Sequence, residues 1–537
     1  MKKYLLIALA ALGFAACENV NDEINPGQSG ELEKSYVAIS LAADDLTRAG
    51  EYADEHDGKY AEGSEEEREV KCAYVFFFKG DEPFMVAYED PTTTNTGAHN
   101  YLQLALSTNQ ETPNNMKNIE EIKNAVLVLR NYKGEYPDKM VAVLNWYPAA
   151  DSYKLSDLQQ TISALQSYNN GFVMSNAVYM DGANQAVYAT PLTIEDIYKN
   201  EKEAEANPVT IHVERIAARV DFTAIDNGKF NIDKKIGDTD VYAQIVGFSL
   251  YNDHEQSKLI KEINTAWTAG DLGFNWNDEA WYRSYWATSL GTNFSTNTNN
   301  FNWNANEAVL DGNVYCGENT NAWSVDNDVR TKVVVKAKLV KNDADNTPVE
   351  VVNWYGKDHI GEAELLKVVA NTLANTYYYK EDNTYKSIEP KHIQCVEPSA
   401  VEANNEKSYY VYFQLSTYGD RAWYKYDGSN YEAIGRMDEF NAILKNIEPA
   451  LVYKGGMTYY YTDIKHLGAE GKTAEYGVVR NHVYKVNISD IKGYGTPVYN
   501  GNTDVEKPEK PEDIKTYVAA EIKILSWKLV EHDYELN

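Results

Sequence analysis

Few residues of this chain have the types and spacing that chemistry requires. Gly471-Lys472-Thr473 has the form of the tail of a phosphate-cradling loop, but that loop needs a glycine five residues before Gly471, and His466 stands there. The "YGVVRNHVYKV" that follows alternates like a strand, where such a loop should enter a helix. In "GYGTPV", Val498 takes the place of the third glycine of a dinucleotide turn. The nine histidines are scattered: His254-Glu255 has no second histidine at the metal-binding spacing, and there is no Cys-x-x-Cys. A Gly-x-Ser-x-Gly elbow is also missing. The 81 acidic residues select no glycosidase-like carboxylate pair. These readings lead us to expect no catalytic residue, no metal and no cofactor, and a chain that is not an enzyme.

Covalent processing is the chemistry the sequence does favour. "MKKYLLIALAALGFAAC" (1–17) has two lysines, an apolar run and then small residues, the layout of a secretory signal too short to span a bilayer. Ala15-Ala16-Cys17 resembles the lipobox of bacterial lipoproteins, so Cys17 is the expected acylated residue and lipid anchor. An ordinary signal peptide that happens to precede a cysteine is the alternative. Residues 18–34 read as a flexible tether. Next, Val37, Ile39 and Leu41 alternate as a half-buried strand does, and the pattern runs into Leu46-Thr47-Arg48-Ala49 and an acidic stretch that can bury nothing.

A net charge of −31 argues against a nucleic-acid partner and suits an exported surface. With Cys17 set aside, Cys72, Cys316 and Cys395 allow at most one disulfide, and Cys72 in "KCAYVFFF" reads as a small buried residue. The 42 tyrosines and abundant asparagine lean towards β-structure with polar loops.

Strands are expected at "CAYVFFFKG", "PFMVAYE", "AVLVLRNY", "KMVAVLNWYP" and "VTIHVERIAARVDFTAI". A second set follows at "VYAQIVGFSLYN", "TKVVVKAKLV", "SYYVYFQLS", "GMTYYYTDI", "GVVRNHVYKVNIS" and "AAEIKILSWKLV". Leu155, Leu158, Ile162 and Leu165 share one helical face and predict a single amphipathic helix; "EAELLKVVANTL" and "MDEFNAILKNI" predict two more. Strands without regular βαβ alternation point to a mainly β fold of antiparallel sandwiches with a few decorating helices. The expected organisation is a signal peptide 1–17, a propeptide 18–48, an N-terminal domain 49–225 and a C-terminal domain 226–537. Trp281, Tyr282, Tyr285 and Trp286 read as packing at a sandwich edge, with a platform for sugars or partner proteins as the alternative.

The ordered stretches "FVMSNAVY" (172–179), "VERIAARVDF" (213–222), "WYRSYWATS" (281–289), "YCGENT" (315–320), "KGGMTYYYTDIKHLG" (454–468) and "YGVVRNHVYKVNISDIKGYGTPV" (476–498), with the lipobox and the final "ILSWKLV", resemble the major-subunit fimbrillins of type V pili. The likeness is to the short-fimbria branch of the lipoprotein pilins of Bacteroidia. It implies two tandem transthyretin-like β-sandwich domains and a precursor anchored in the outer membrane. It also implies maturation by an Arg-specific surface protease and polymerisation by strand exchange into a fimbrium that supports adhesion. Carried onto this sequence, the cut falls between Arg48 and Ala49, and Val37, Ile39 and Leu41 form the provisional strand. The partners implied are identical subunits, accessory and anchor pilins, and host or bacterial surface adhesins.

The C-terminal segment is the expected donor. Val518, Ala520, Ile522 and Ile524 lie on one strand face, and Trp527 and Leu529 on the opposite phase, so a bulge or break near Leu525-Ser526 should divide it. The first half then reads as the subunit's own edge strand and the second as the donated part. Arg68 is the expected second cleavage site. The alternative is a monomeric surface lipoprotein that binds glycan or host protein; an accessory or tip pilin and a β-sandwich glycosidase rank below it.

Overall fold

The computed structural model describes residues 33–42, 67, 69–89, 96–104, 125–131, 135–163, 171–180, 185–264, 287–289, 311–320, 329–401, 409–466, 475–500, 517–526 and 529–530. The chain forms two compact units, one of residues 1–218, 255–290 and 479–481, the other of 219–254, 291–478 and 482–537. The fold is mainly β with a few short helices, as expected.

The first unit is built on strands β1 (Glu33–Ala42), β2 (Ala73–Lys79), β3 (Ala125–Asn131), β4 (Lys139–Leu144), β5 (Met174–Asn176) and β6 (Val209–Arg215). In its sheet the order from Glu82–Pro83 is β2, β4, β5, β6, β1, β3, with Tyr101–Gln103 and Thr190–Pro191 pairing off that path. The runs "AYVFFFK" and "KMVAVL" are apolar on both phases because both faces of these central strands are covered. Val75, Phe77, Met140 and Ala142 enter one core. Phe76, Phe78, Val141 and Val143 enter another, with Tyr153, Leu158 and Ile260.

The helix expected over Leu155–Leu165 is not formed as a single helix. Leu155–Gln159 makes one 3₁₀ turn, Gln160 is extended at φ −61° and ψ 153°, and Thr161–Ser163 is a strand. Thr161 and Ile162 are β-branched, and they pair with Lys258 and Ser257. Leu155 and Leu158 still reach the core that the periodicity assigned them.

The second unit carries β7 (Ala218–Ala224, within it from Arg219), β8 (Lys229–Ile236), β9 (Thr239–Tyr251), β10 (Lys332–Lys341), β11 (Met457–Asp463), β12 (His482–Lys492), β13 (Tyr517–Ser526) and β14 (Leu529–Val530). One sheet runs Asp311–Cys316, β7, β12, β13, β14; the other runs β8, β9, β10, β11, Thr496–Pro497. Phe222 of β7 stacks on Phe248 of β9 with ring centroids 4.4 Å apart, joining the two sheets. In "KGGM", Gly456 has φ +79°, and a Cβ there would meet the Leu339 carbonyl oxygen at 2.4 Å, so only glycine lets this turn lie against β10.

Between β10 and β11 the chain inserts a five-stranded and a four-stranded sheet with two helices, Glu362–Leu373 and Met437–Leu444. The first helix buries Leu365, Val369, Ala370 and Leu373 along one stripe, and Glu362 and Glu364 sit in its first turn, where the helix dipole favours negative charge. Trp423 and Phe440 stack at 4.7 Å in the core beneath.

Parallel pairing occurs as well: β1 runs parallel to β6, and β7 runs parallel to β12. Cys72, Cys316 and Cys395 are free thiols. Among the described residues no helix is long and apolar enough to cross a membrane, and no group of side chains could hold a metal ion.

Candidate strand-exchange site

β1 joins two halves of its ladder. Residues Glu33 to Ile39 pair antiparallel with Asn131 to Ala125 of β3, and Ile39 to Ala42 pair parallel with Val209 to His212 of β6. Among the described residues β1 is the only strand that β3 pairs with, so β3 reaches the sheet through β1 alone. Without β1, a slot two strand spacings wide, about 9.5 Å, would open between β6 and β3.

Val37 and Ile39 are fully buried beside Val75, Phe77, Met140, Leu127 and Ile211. Each stabilises by roughly 1.5 to 3 kcal/mol against exposure. Leu41 pairs with Ile211. The alternation predicts a strand buried on one face, yet Ala38 on the opposite phase is also fully buried. It packs with Ala204 and Tyr198 at the short helix α1 (Glu201–Ala206), which Asn200 caps by accepting from the Glu203 N–H. That cover comes from a segment some 160 residues away in sequence, so local alternation near Ala38 carries no trace of it. The small side chain of Ala38 itself is the available signal.

The wall formed by β6 is fixed independently of β1. Glu214 at its end pairs with Lys261 at 2.9 Å, with both side chains fully buried. The Arg215 Nε–H donates to the Glu67 carbonyl at 2.9 Å, and Arg480, also buried, donates to the Lys258 carbonyl at 2.7 Å. Charges so far from water hold only through such partners.

At the other end of the chain β13 pairs with β12 over its whole length, from Tyr517 opposite Lys492 to Ser526 opposite His482, with a bulge between Ile488 and Asp490. Ile522 and Ile524 lie opposite Val486 and Tyr484. The break expected near Leu525-Ser526 is a chain reversal: β14 folds back so that Leu529 meets Leu525 and Val530 meets Ile524. Among the described residues β13 is therefore second from the edge and β14 is the edge itself, which corrects the reading of β13 as an edge strand.

Cys17, Arg48, Ala49, Arg68, Trp527, the Gly471 to Thr473 loop and the aromatic group Trp281, Tyr282, Tyr285 and Trp286 lie outside the described residues.

The geometry is that of a β-sandwich subunit with a strand slot in one unit and a C-terminal strand pair in the other. Residues 451–533, which contain β11 to β14, match the family described as "Major fimbrial subunit protein type IV, Fimbrillin, C-terminal". That part of the chain is thus similar to the C-terminal segment of fimbrillins, in keeping with the resemblance to the Bacteroidia pilins. The chain is also similar to solved structures. One, described as a cell adhesion protein from Parabacteroides distasonis, is 13% identical over 93% of this chain and 98% of that one, with a TM-score of 0.34. Another so described, from Bacteroides eggerthii, is 12% identical over 94% and 100%, with a TM-score of 0.33. A fimbrilin from Porphyromonas gingivalis is 12% identical over 93% and 98%, with a TM-score of 0.32. No curated protein matches.

Proposed function

We propose that the chain is a structural subunit of a cell-surface fimbria of the short-fimbria branch, exported as an outer-membrane lipoprotein acylated at Cys17 and supporting adhesion. Cleavage between Arg48 and Ala49 frees β1, and the C-terminal segment of a neighbouring subunit takes its place by β-augmentation. The observation that carries this reading is the interior position of β1, a strand on which β3 depends for its ladder. An unfilled slot would present unpaired backbone groups on two strands and an apolar channel, a template for aggregation during export. A strand supplied by the propeptide covers it until assembly.

Arg48 lies six residues beyond Ala42, a reach of about 20 Å when extended, enough for a protease to engage the chain clear of the sheet. The incoming strand must run parallel to β6 and antiparallel to β3, the sense of β1. The donated part, from Trp527 onward, carries Trp527 and Leu529 on one phase as the apolar side chains to take the places of Val37, Ile39 and Leu41.

The test is N-terminal analysis of protein sheared from the surface, together with heat-dependent ladders on a denaturing gel. The expected mature terminus is Ala49, and Arg48→Ala should leave unpolymerised precursor. Fibres whose subunits begin at Cys17, or undiminished ladders from Arg48→Ala, would overturn the cleavage step. A monomer under all conditions would favour the lipoprotein alternative.

A further inference from the structure

We propose that the outer face of the four-stranded sheet in the insert is a binding site for neutral oligosaccharides. The sheet runs Thr384–Ser387, Tyr377–Glu381, Trp423–Tyr426, Tyr431–Gly435. Its register sorts the residues of "YYYKEDNTYKS" and "WYKYDGSNYEAIG" by face. Tyr379 and Trp423 are paired and buried on the inner side. Tyr378 opposite Tyr424, Lys380 opposite Tyr385, and Tyr426 opposite Tyr431 lie on the outer side. All five outer tyrosines are partly exposed, and Lys380 and Ala433 beside them are exposed.

The rings already hold one another in place. Tyr385 and Tyr431 stack with centroids 3.7 Å apart and planes within 2°. Tyr424 sits edge-on to Tyr385 at 5.1 Å, and Tyr378 edge-on to Tyr431 at 5.1 Å. The Tyr426 hydroxyl donates to the Gly428 carbonyl at 2.9 Å. Under them Trp423 is fully buried, with its indole N–H donating to the Gly419 carbonyl at 2.8 Å. A platform this well supported binds without first paying to order its side chains.

Size and charge select the occupant. Four strands of four or five residues make a face of about 19 by 15 Å, about 300 Å². A stable protein interface needs roughly 800 Å² per partner. Two or three sugar rings fit the smaller area, and tyrosine offers them an apolar ring with a hydrogen-bonding rim. The face displays no large aliphatic anchor; besides tyrosine it presents Lys380, Ser387 and Ala433. The −31 charge of the chain repels polyanions, which leaves a neutral saccharide as the partner. This site does not depend on polymerisation.

The test uses the full chain on an immobilised panel of maltotriose, cellotriose, mannotriose and N-acetyllactosamine with sialylated and sulfated counterparts, followed by calorimetric titration of the strongest neutral member. Tyr385→Ala/Tyr431→Ala should weaken binding by about tenfold or more. Tyr431→Phe keeps the ring and should stay within about threefold, and the exposed Tyr418→Ala, elsewhere in the insert, should change nothing. Should the double variant fail to fold by near-ultraviolet dichroism, Ala433→Arg blocks the same face without removing a ring and should abolish binding. Three results would overturn the proposal: no neutral saccharide bound at about 10 mM, binding only of anionic members or of protein, or binding unchanged in these variants.

Discussion

Each of the two units contains a parallel ladder, and the two ladders differ in how their strands are held. In the second unit β7 lies against β12 over six residue pairs, from Arg219 opposite Val483 to Ala224 opposite Ile488. Only Ile216 and Ala217, both fully buried, separate β7 from β6, and the short turn 225–228 separates it from β8. It cannot leave without pulling its neighbours with it. β1 has the same parallel sense against β6, but among the described residues the next strand in the chain, β2, begins only at Ala73. Both ladders run parallel; connectivity makes the one permanent and, on the strand-exchange reading, leaves the other replaceable.

That contrast requires a wall that stays in place when β1 goes. Lys261→Met removes the cation from the buried pair and leaves Glu214 without its ion-pair partner; the loss should be about 3 to 5 kcal/mol in urea unfolding of the precursor. A loss under about 1 kcal/mol would mean that β6 is anchored by other contacts.

The sharpest comparison pairs Ile39→Ala with Val220→Ala, both fully buried, one on each parallel strand. Truncating Ile39 should cost about 2 to 4 kcal/mol in the precursor, and Val220 somewhat less. Their effects should then separate. If β1 is discarded on assembly, Ile39→Ala should leave the heat stability of mature fibres at the wild-type value, while Val220→Ala should lower it. Equal losses in fibres would mean that β1 stays in its slot.

The sequence shows the strands where alternation or an apolar run is local. β2, β4 and β9 fall where "CAYVFFFKG", "KMVAVLNWYP" and "VYAQIVGFSLYN" place them, and the helix Glu362–Leu373 coincides with "EAELLKVVANTL". It misleads where pairing overrides periodicity, as at Thr161 and Ile162. In the candidate slot Val37 and Ile39 are legible, but the burial of Ala38 depends on α1, which no local pattern near Ala38 announces. The tyrosine face was legible in principle. Asp382-Asn383 and Asp427 to Asn430 mark two hairpin turns, and folding the alternating tyrosines about them brings Tyr378, Tyr385, Tyr424 and Tyr431 to one side.

The smallest expected effect is acid sensitivity in the second unit, and it rests on His392. Its Nδ1 accepts from the Glu389 N–H at 3.0 Å, and its ring is fully buried between Tyr379 and Trp423. A proton on Nδ1 would set one donor against another. Burial, reinforced by the nearby Arg421 guanidinium and only partly offset by Glu389, lowers its pKa from 6.5 to about 4. Above pH 6.5 the imidazole is neutral in both folded and unfolded chains and contributes no pH dependence. Below it the unfolded chain takes up a proton that the folded chain refuses, so stability falls as pH drops, by about 1.4 kcal/mol per unit until near pH 4. Urea midpoints between pH 7 and 4.5 should carry this slope on the second unit. Asn at this position can still accept from the Glu389 N–H but does not titrate, so His392→Asn should lower stability through lost ring packing yet remove the slope that His392 supplies. An unchanged slope in His392→Asn would assign the acid response to other groups.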